Sequence, residues 1–299
     1  MVDGGIVSSV PGAGFKQRAF GVGLVVLSTI AIALVPSFAK LAYEGGSNTL
    51  SVITGRSIFS VLITLALLVA FRQPMVIPRR PMRIALAMGV AYAVMLYGYL
   101  GAVNYLPVSL VILIYFVHPV LVGFIVIYLG QERLKIMSIG ALVAALVGLY
   151  LAIGLSFEGL SGVGLALAAL AMAVTAIIVV CGARATAEAK AISVGFYMML
   201  SAAVTLTVIF VLFGTLALPT TPLAWAGFVG VAIASTVGTL AFISGMAYVG
   251  AARAAMISNL EPVLGVLFAI AVLGERVSLL QGTGIAIVIG AILVMEMCR

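Results

Sequence analysis

Hydrophobic positions in this chain fall in long uninterrupted blocks separated by short polar breaks, and the blocks are continuous rather than alternating in and out. A helix needs about 20 apolar residues to cross a hydrocarbon core of roughly 30 Å, and blocks of that length follow one another along the whole sequence. They predict spans at Phe20 to Tyr43, Thr49 to Phe71, Ile84 to Leu106, Val108 to Tyr128, Met137 to Leu155, Gly162 to Cys181, Ile192 to Gly214, Ala224 to Val249, Ala254 to Leu273 and Leu280 to Met297. The breaks carry turn chemistry, as at Gly45-Gly46-Ser47-Asn48, Pro78 to Pro81, Glu158-Gly159 and Pro219 to Pro222. A membrane β-barrel is disfavoured because its strands would alternate apolar and polar residues. The expected class is an all-α polytopic membrane protein of ten transmembrane helices.

Composition agrees: of 299 residues 65% are hydrophobic and only 8% are charged. The net charge of +7 does not point to nucleic acid, because the cations sit in the short segments between apolar blocks. With the N-terminus inside, the inner segments collect Lys16, Arg18, Arg72, Arg79, Arg80, Arg83, Arg133, Lys135, Arg184, Lys190, Arg253 and Arg299, and the outer loops little beyond Arg276. This bias puts both termini in the cytoplasm and the protein in the plasma (inner) membrane. Lys16 and Arg18 before an apolar run ending in Ser37-Phe38-Ala39 have the outline of a signal peptide, but the run is too long for one. Cys181 and Cys298 fall at inner helix ends, where thiols stay reduced, so no disulfide is expected.

The chain repeats itself. His118-Pro119-Val120-Leu121 through Glu132-Arg133 recurs at constant offset as Glu261-Pro262-Val263-Leu264 through Glu275-Arg276. Gly21-Val22-Gly23-Leu24 recurs as Gly162-Val163-Gly164-Leu165, and Gly89-Val90-Ala91 as Gly230-Val231-Ala232. The organisation predicted is an N-terminal cytoplasmic tail over 1–19, a first five-helix repeat over 20–155 and a second over 156–299. Five is odd, so the second repeat enters the membrane inverted, the symmetry on which alternating access is built.

Several of these segments together resemble a known family. Pro36-Ser37-Phe38-Ala39-Lys40, Arg56, Ala102 to Tyr105 with its copy around Ala247-Tyr248, and the two Pro-Val-Leu…Glu-Arg blocks resemble the EamA-type members of the drug/metabolite transporter superfamily, and within it the YddG-type amino-acid exporters. The resemblance implies a central cavity between helices one to four and six to nine, with helices five and ten outside it. It marks Lys40 and Arg56 as family features. His118 departs from the family pattern, which more often has a small or neutral residue there.

Ionisable groups inside spans cost roughly 2.5 to 3.5 kcal/mol each at a helix centre, so each needs a reason. His118 and Glu261 occupy equivalent positions of the two repeats, and either could bind a substrate ammonium or take up a proton. Pro119 and Pro262 follow them as candidate hinges and should leave the carbonyls of Tyr115 and Ser258 free. Arg56 and Lys40 could draw in a substrate carboxylate; alternatively, Arg56 caps carbonyls and Lys40 pairs with Glu44. Tyr92 and Tyr99, with Met95 and Leu96, form one helical stripe, and Ser235, Thr239 and Phe242 another. Paired, they make an aromatic, weakly polar wall suited to amphipathic solutes, although such stripes also serve plain packing. Asn259 points away from Glu261 and could bond across helices. Glu132 and Glu275 read as helix-end groups, and Trp225 as an interfacial anchor.

Other classes fit less well. Gly159-Leu160-Ser161-Gly162 has the look of a membrane serine nucleophile with His118 as base, but Ser161 begins a helix at the surface while His118 lies near mid-helix. An aspartyl protease needs two aspartates, and Asp3 stands alone. There is no phosphate loop, metal-ligand cluster or filter-like motif, so no cofactor or metal is expected. A cation-drug exchanger would want an acid in the first helix, where Ser28 and Thr29 stand instead. Nucleotide-sugar carriage remains an alternative. The sequence therefore predicts a secondary transporter, not an enzyme, moving small metabolites, most simply amino acids outward, with lipid as its other partner.

Overall fold

The computed structural model describes residues 15–70, 76–118, 121–122, 125, 128, 140, 143–144, 147–148, 151, 160–189, 191–249, 254, 257–258 and 260–297. Regular structure there is helical, with no strand among the described residues. The helices are α1 (Phe15–Glu44), α2 (Thr49–Ala70), α3 (Arg79–Ala102), α4 (Val108–Tyr115), α5 (Gly162–Glu188), α6 (Ala191–Phe213), α7 (Pro222–Val249), α8 (Glu261–Leu273) and α9 (Leu279–Met297). Among the described residues six of them, α1 to α3 and α5 to α7, are long and apolar enough to cross a membrane, and α8 and α9 are shorter and apolar. Side chains such as Leu62, Val211 and Leu223 stay exposed, as they can where the surrounding solvent is hydrocarbon.

Apolar burial does not drive helices together inside lipid, so close packing must, and small residues supply it. On α7, Gly227 abuts the backbone of Phe38 and Ala42, Gly238 abuts Ile32, and Gly245 abuts Gly21 and Val25, so α7 lies along the length of α1. On α3, Gly89 meets Ser201 of α6 and Gly98 meets Leu167 and Ala171 of α5, which fixes α3 between those helices. α2 lies on α6 and α7, and α8 packs on both α1 and α4. Buried Ile53, Leu96, Leu100, Leu206 and Val231 form one core, and Ile112, Leu113, Val266 and Ala269 a second between α4 and α8.

One end of the bundle is laced by polar contacts. Gly46 (φ 95°) turns the chain out of α1 in a conformation that side chains disfavour. The turn then binds the α6–α7 connection: Asn48 Nδ2 donates to the Thr215 carbonyl (2.7 Å), Thr220 N and Oγ1 to the Gly45 carbonyl (2.9 Å each), and Ala217 N to Ser51 Oγ (3.1 Å).

Two predicted spans are broken. The fourth was expected over Val108 to Tyr128 with a candidate hinge at Pro119; α4 stops at Tyr115, three residues before that proline's neighbour His118, and Phe116 adopts a turn conformation (φ −73°, ψ 1°). The ninth was expected from Ala254, yet a turn at Leu260 precedes α8. Pro119 and Pro262 cannot donate to the carbonyls four residues back, which weakens both helices at the same point. The span at Met137 to Leu155 and the pair Glu132-Arg133 lie largely outside the described residues.

Candidate functional site

The broken helices end at an internal cavity of about 140 Å³. α3 contributes Tyr92, Met95, Leu96 and Tyr99, which share one face because they lie three, four and seven residues apart. α7 contributes Ser235 and Thr239, one turn apart, and α1 closes the wall with Ile32 and Val35. Arg56 enters from α2, Tyr115 from the last turn of α4 and Glu261 from the first turn of α8. A narrower recess continues past Arg56 between Ser57, Ser60, Met199 and Ala202.

The polar groups are arranged by their own helices. Ser235 Oγ donates to the Val231 carbonyl (2.7 Å) and Thr239 Oγ1 to the Ser235 carbonyl (2.8 Å). Their protons are thereby spent, and their lone pairs remain as acceptors. Arg56 Nη2 donates to the Tyr92 hydroxyl (3.2 Å), and among the described residues no other acceptor engages the guanidinium. The Tyr99 and Tyr115 rings lean together with centroids 4.3 Å apart. Glu261 is half-buried, and among the described residues nothing donates a hydrogen bond to its carboxylate. Its place in the first turn of α8 sets it at the positive end of that helix, which favours a carboxylate there. The cavity therefore presents a guanidinium, a carboxyl group, tyrosine rings and hydroxyl acceptors in one small volume.

The profile of the EamA-like transporter family matches this chain twice, over residues 19–154 and 162–297. The chain belongs to the EamA-like transporter family. An uncharacterized transporter of Archaeoglobus fulgidus is 26% identical over 281 residues, covering 94% of this chain and 97% of the relative. A crystal structure sharing 17% identity superposes with a TM-score of 0.63 over 95% of this chain and 99% of its own, a likeness of fold. As a transporter of this family the protein sits in a membrane, passes it several times and handles a small molecule; it is not classed with enzymes.

Of the sequence candidates, the transporter's cavity brings together Arg56, Tyr92, Tyr99, Ser235, Thr239 and Glu261. His118 is not among its lining residues. Its Nδ1 donates to the Tyr115 carbonyl at 3.0 Å, so the carbonyl expected to be free is used by the histidine three residues on. The ring leans on that of Tyr115, itself a lining residue, with centroids 5.2 Å apart. Lys40 reaches across to the Val103 carbonyl at the end of α3 (3.3 Å) rather than pairing with Glu44. Arg56 likewise meets a tyrosine, not the backbone carbonyls of the packing alternative. Phe242 packs against Val25, Val249 and Ala254 and lies off the lining. Pro262 is buried in the first turn of α8, while Asn259 and Pro119 lie outside the described residues.

Ser161, the nucleophile of the protease alternative, is the N-cap of α5 and accepts from Gly164 N (3.3 Å). A serine so used caps a helix, and the family assignment gives that alternative no support. Tyr115 was missed as a lining side chain. Its signal was present, one turn before His118 and on the same helix face. The small-residue stripe of α7 at Gly227, Ala234, Gly238, Ala241 and Gly245 was equally readable and marks the α1 contact.

Proposed function

We propose that this transporter carries amino acids outward by alternating access through the described cavity. The carrying observation is that Arg56 and Glu261 line one volume of about 140 Å³. A zwitterion offers a carboxylate to the guanidinium fork and an ammonium to the carboxylate, so each buried charge gains a partner. Tyr99, Tyr115 and Met95 then give an apolar surface for the substrate's side chain. The volume lies below the roughly 300 to 1,000 Å³ usual for drug-sized ligands, which disfavours nucleotide sugars and large drugs. Export rather than import rests on the resemblance to YddG-type exporters.

The same reading takes the chain as ten helices in two inverted five-helix repeats, over 20–155 and 156–299, with both termini in the cytoplasm of the plasma membrane. The sequence repeat and the double match of the family profile support it. So does the inverted direction that follows from an odd number of spans per half. Labelled amino acids, sugars and nucleotides offered to liposomes holding the purified protein test the substrate class. Saturable amino-acid movement is expected; saturable movement of a different solute with none of any amino acid would refute it.

A further inference from the structure

Glu275 stands just beyond the C-terminus of α8, where Gly274 (φ 66°) ends the helix in a left-handed turn and swings the next residue sideways. Its carboxylate takes three donors from the start of α4: the backbone N–H of Val108, the N–H of Ser109 (3.1 Å) and the Ser109 hydroxyl (2.6 Å). Hydrogen bonds to an ionised carboxylate are about twice as strong as neutral ones. This set joins two segments far apart in sequence, at the bundle end already laced by the α1–α2 turn and the α6–α7 connection.

α4 and α8 are both short rods running from this clip to the cavity. α8 has 13 residues, about 20 Å at 1.5 Å each, with Glu261 at its cavity end and Glu275 past the other. α4 has 8 residues, with Val108 and Ser109 at the clip and Tyr115 at the cavity. Each is interrupted where it reaches the cavity, α4 by the turn at Phe116 and α8 by the turn at Leu260. The rods lie against one another, Gly265 facing Ile112. Two rods interrupted at the cavity, packed on each other through apolar side chains and joined by charge-assisted hydrogen bonds at their far ends, have the build of a gate.

We propose that the Glu275 clip holds the α4 and α8 rods together and shuts the cavity at that end, and that its release lets them part about the breaks at Phe116 and Leu260. This rests on the alternating-access reading but not on the identity of the substrate. A substrate bridging Glu261 and the Tyr115 side of the cavity pulls on both rods at their hinged ends, so binding and gate share the same two levers. A plain helix cap would stabilise α4 without regulating access.

The test uses the full chain with Cys181 and Cys298 replaced by serine and a reporter Val35→Cys in the cavity wall. The rate of labelling by a membrane-impermeant maleimide is measured from the side bearing the α1–α2 turn. Losing a charge-assisted fastening shifts the closed-to-open ratio by about tenfold or more, so Glu275→Ala should raise the labelling rate by about that factor. Ser109→Ala keeps the two backbone donors and should raise it by a smaller factor, which keeps the proposal testable if Glu275→Ala does not fold. Arg276→Ala, next in sequence and outside the clip, should label like the parent. Parental labelling rates in Ser109→Ala, and in Glu275→Ala where it folds, would overturn the gate and leave a helix cap. No substrate is needed, so failure of the amino-acid reading and failure of the gate are separate results.

Discussion

Replacing Glu261 by Gln keeps the shape of the side chain and removes its charge. Among the described residues nothing donates to this carboxylate, so the substitution strands no protein partner. What it removes is the partner offered to a substrate ammonium. A hydrogen bond to a charged group contributes roughly 1.5 to 3 kcal/mol. At about 1.4 kcal/mol per factor of ten, the affinity for a zwitterionic amino acid should fall by roughly 10- to 140-fold. Stability should move the other way, because a carboxylate inside a span costs roughly 2.5 to 3.5 kcal/mol on insertion scales and the amide costs less. The assay pairs concentration-dependent exchange in liposomes with a thermal unfolding midpoint in detergent. A deaminated analogue separates causes: it brings no ammonium to lose, so it should bind the variant no more weakly than the parent. Affinity of the folded variant for the intact amino acid within about twofold of the parent would refute the assignment.

Other substitutions report on other parts of the argument. Arg56→Ala should weaken amino-acid exchange by about tenfold or more, and Arg56→Lys should recover only part, because the ammonium lacks the guanidinium fork; full recovery by Lys would show that charge alone suffices. Gly227→Ala puts a methyl within 2.6 Å of the Phe38 carbonyl and 2.8 Å of Ala42 N, so α1 and α7 must separate. Overpacking of this kind costs about 1 to 3 kcal/mol, seen as a lower unfolding midpoint, and an unchanged midpoint would contradict the close approach. Ser161→Ala should cost about 1 kcal/mol through loss of the α5 cap while transport per folded molecule is retained; loss of transport in stable protein would give Ser161 a role beyond capping.

Much of this protein was legible in its sequence because a membrane imposes one-dimensional rules. Backbone polar groups have no water partners in hydrocarbon, so a segment that faces lipid crosses as an apolar helix and is interrupted only where protein surrounds it, and length with composition reveals it. That is why α1 to α3 and α5 to α7 coincide with predicted spans to within a few residues at most ends. Ionisable residues are costly there, so the few present stood out, and Arg56 and Glu261 could be selected before any geometry was known. Periodicity likewise grouped Tyr92 with Tyr99 and Ser235 with Thr239.

Direction and partner were not legible. His118 and Glu261 occupy the same repeat position, yet one turns back on its own helix to the Tyr115 carbonyl while the other faces the cavity. Phe242 shares the stripe of Ser235 and Thr239, but α7 is long enough for its far end to leave the cavity and pack on Val25. Glu275 was readable as a helix-end group, but that it fastens the start of α4 depends on two segments meeting across the bundle. By itself the sequence determined which segments are long and apolar enough to enter a membrane and which groups inside them need a reason, since both follow from the cost of moving each residue from water into hydrocarbon. The tertiary structure alone decided which of those groups face one another, because that depends on how tightly neighbouring helices approach and where a proline lets them break.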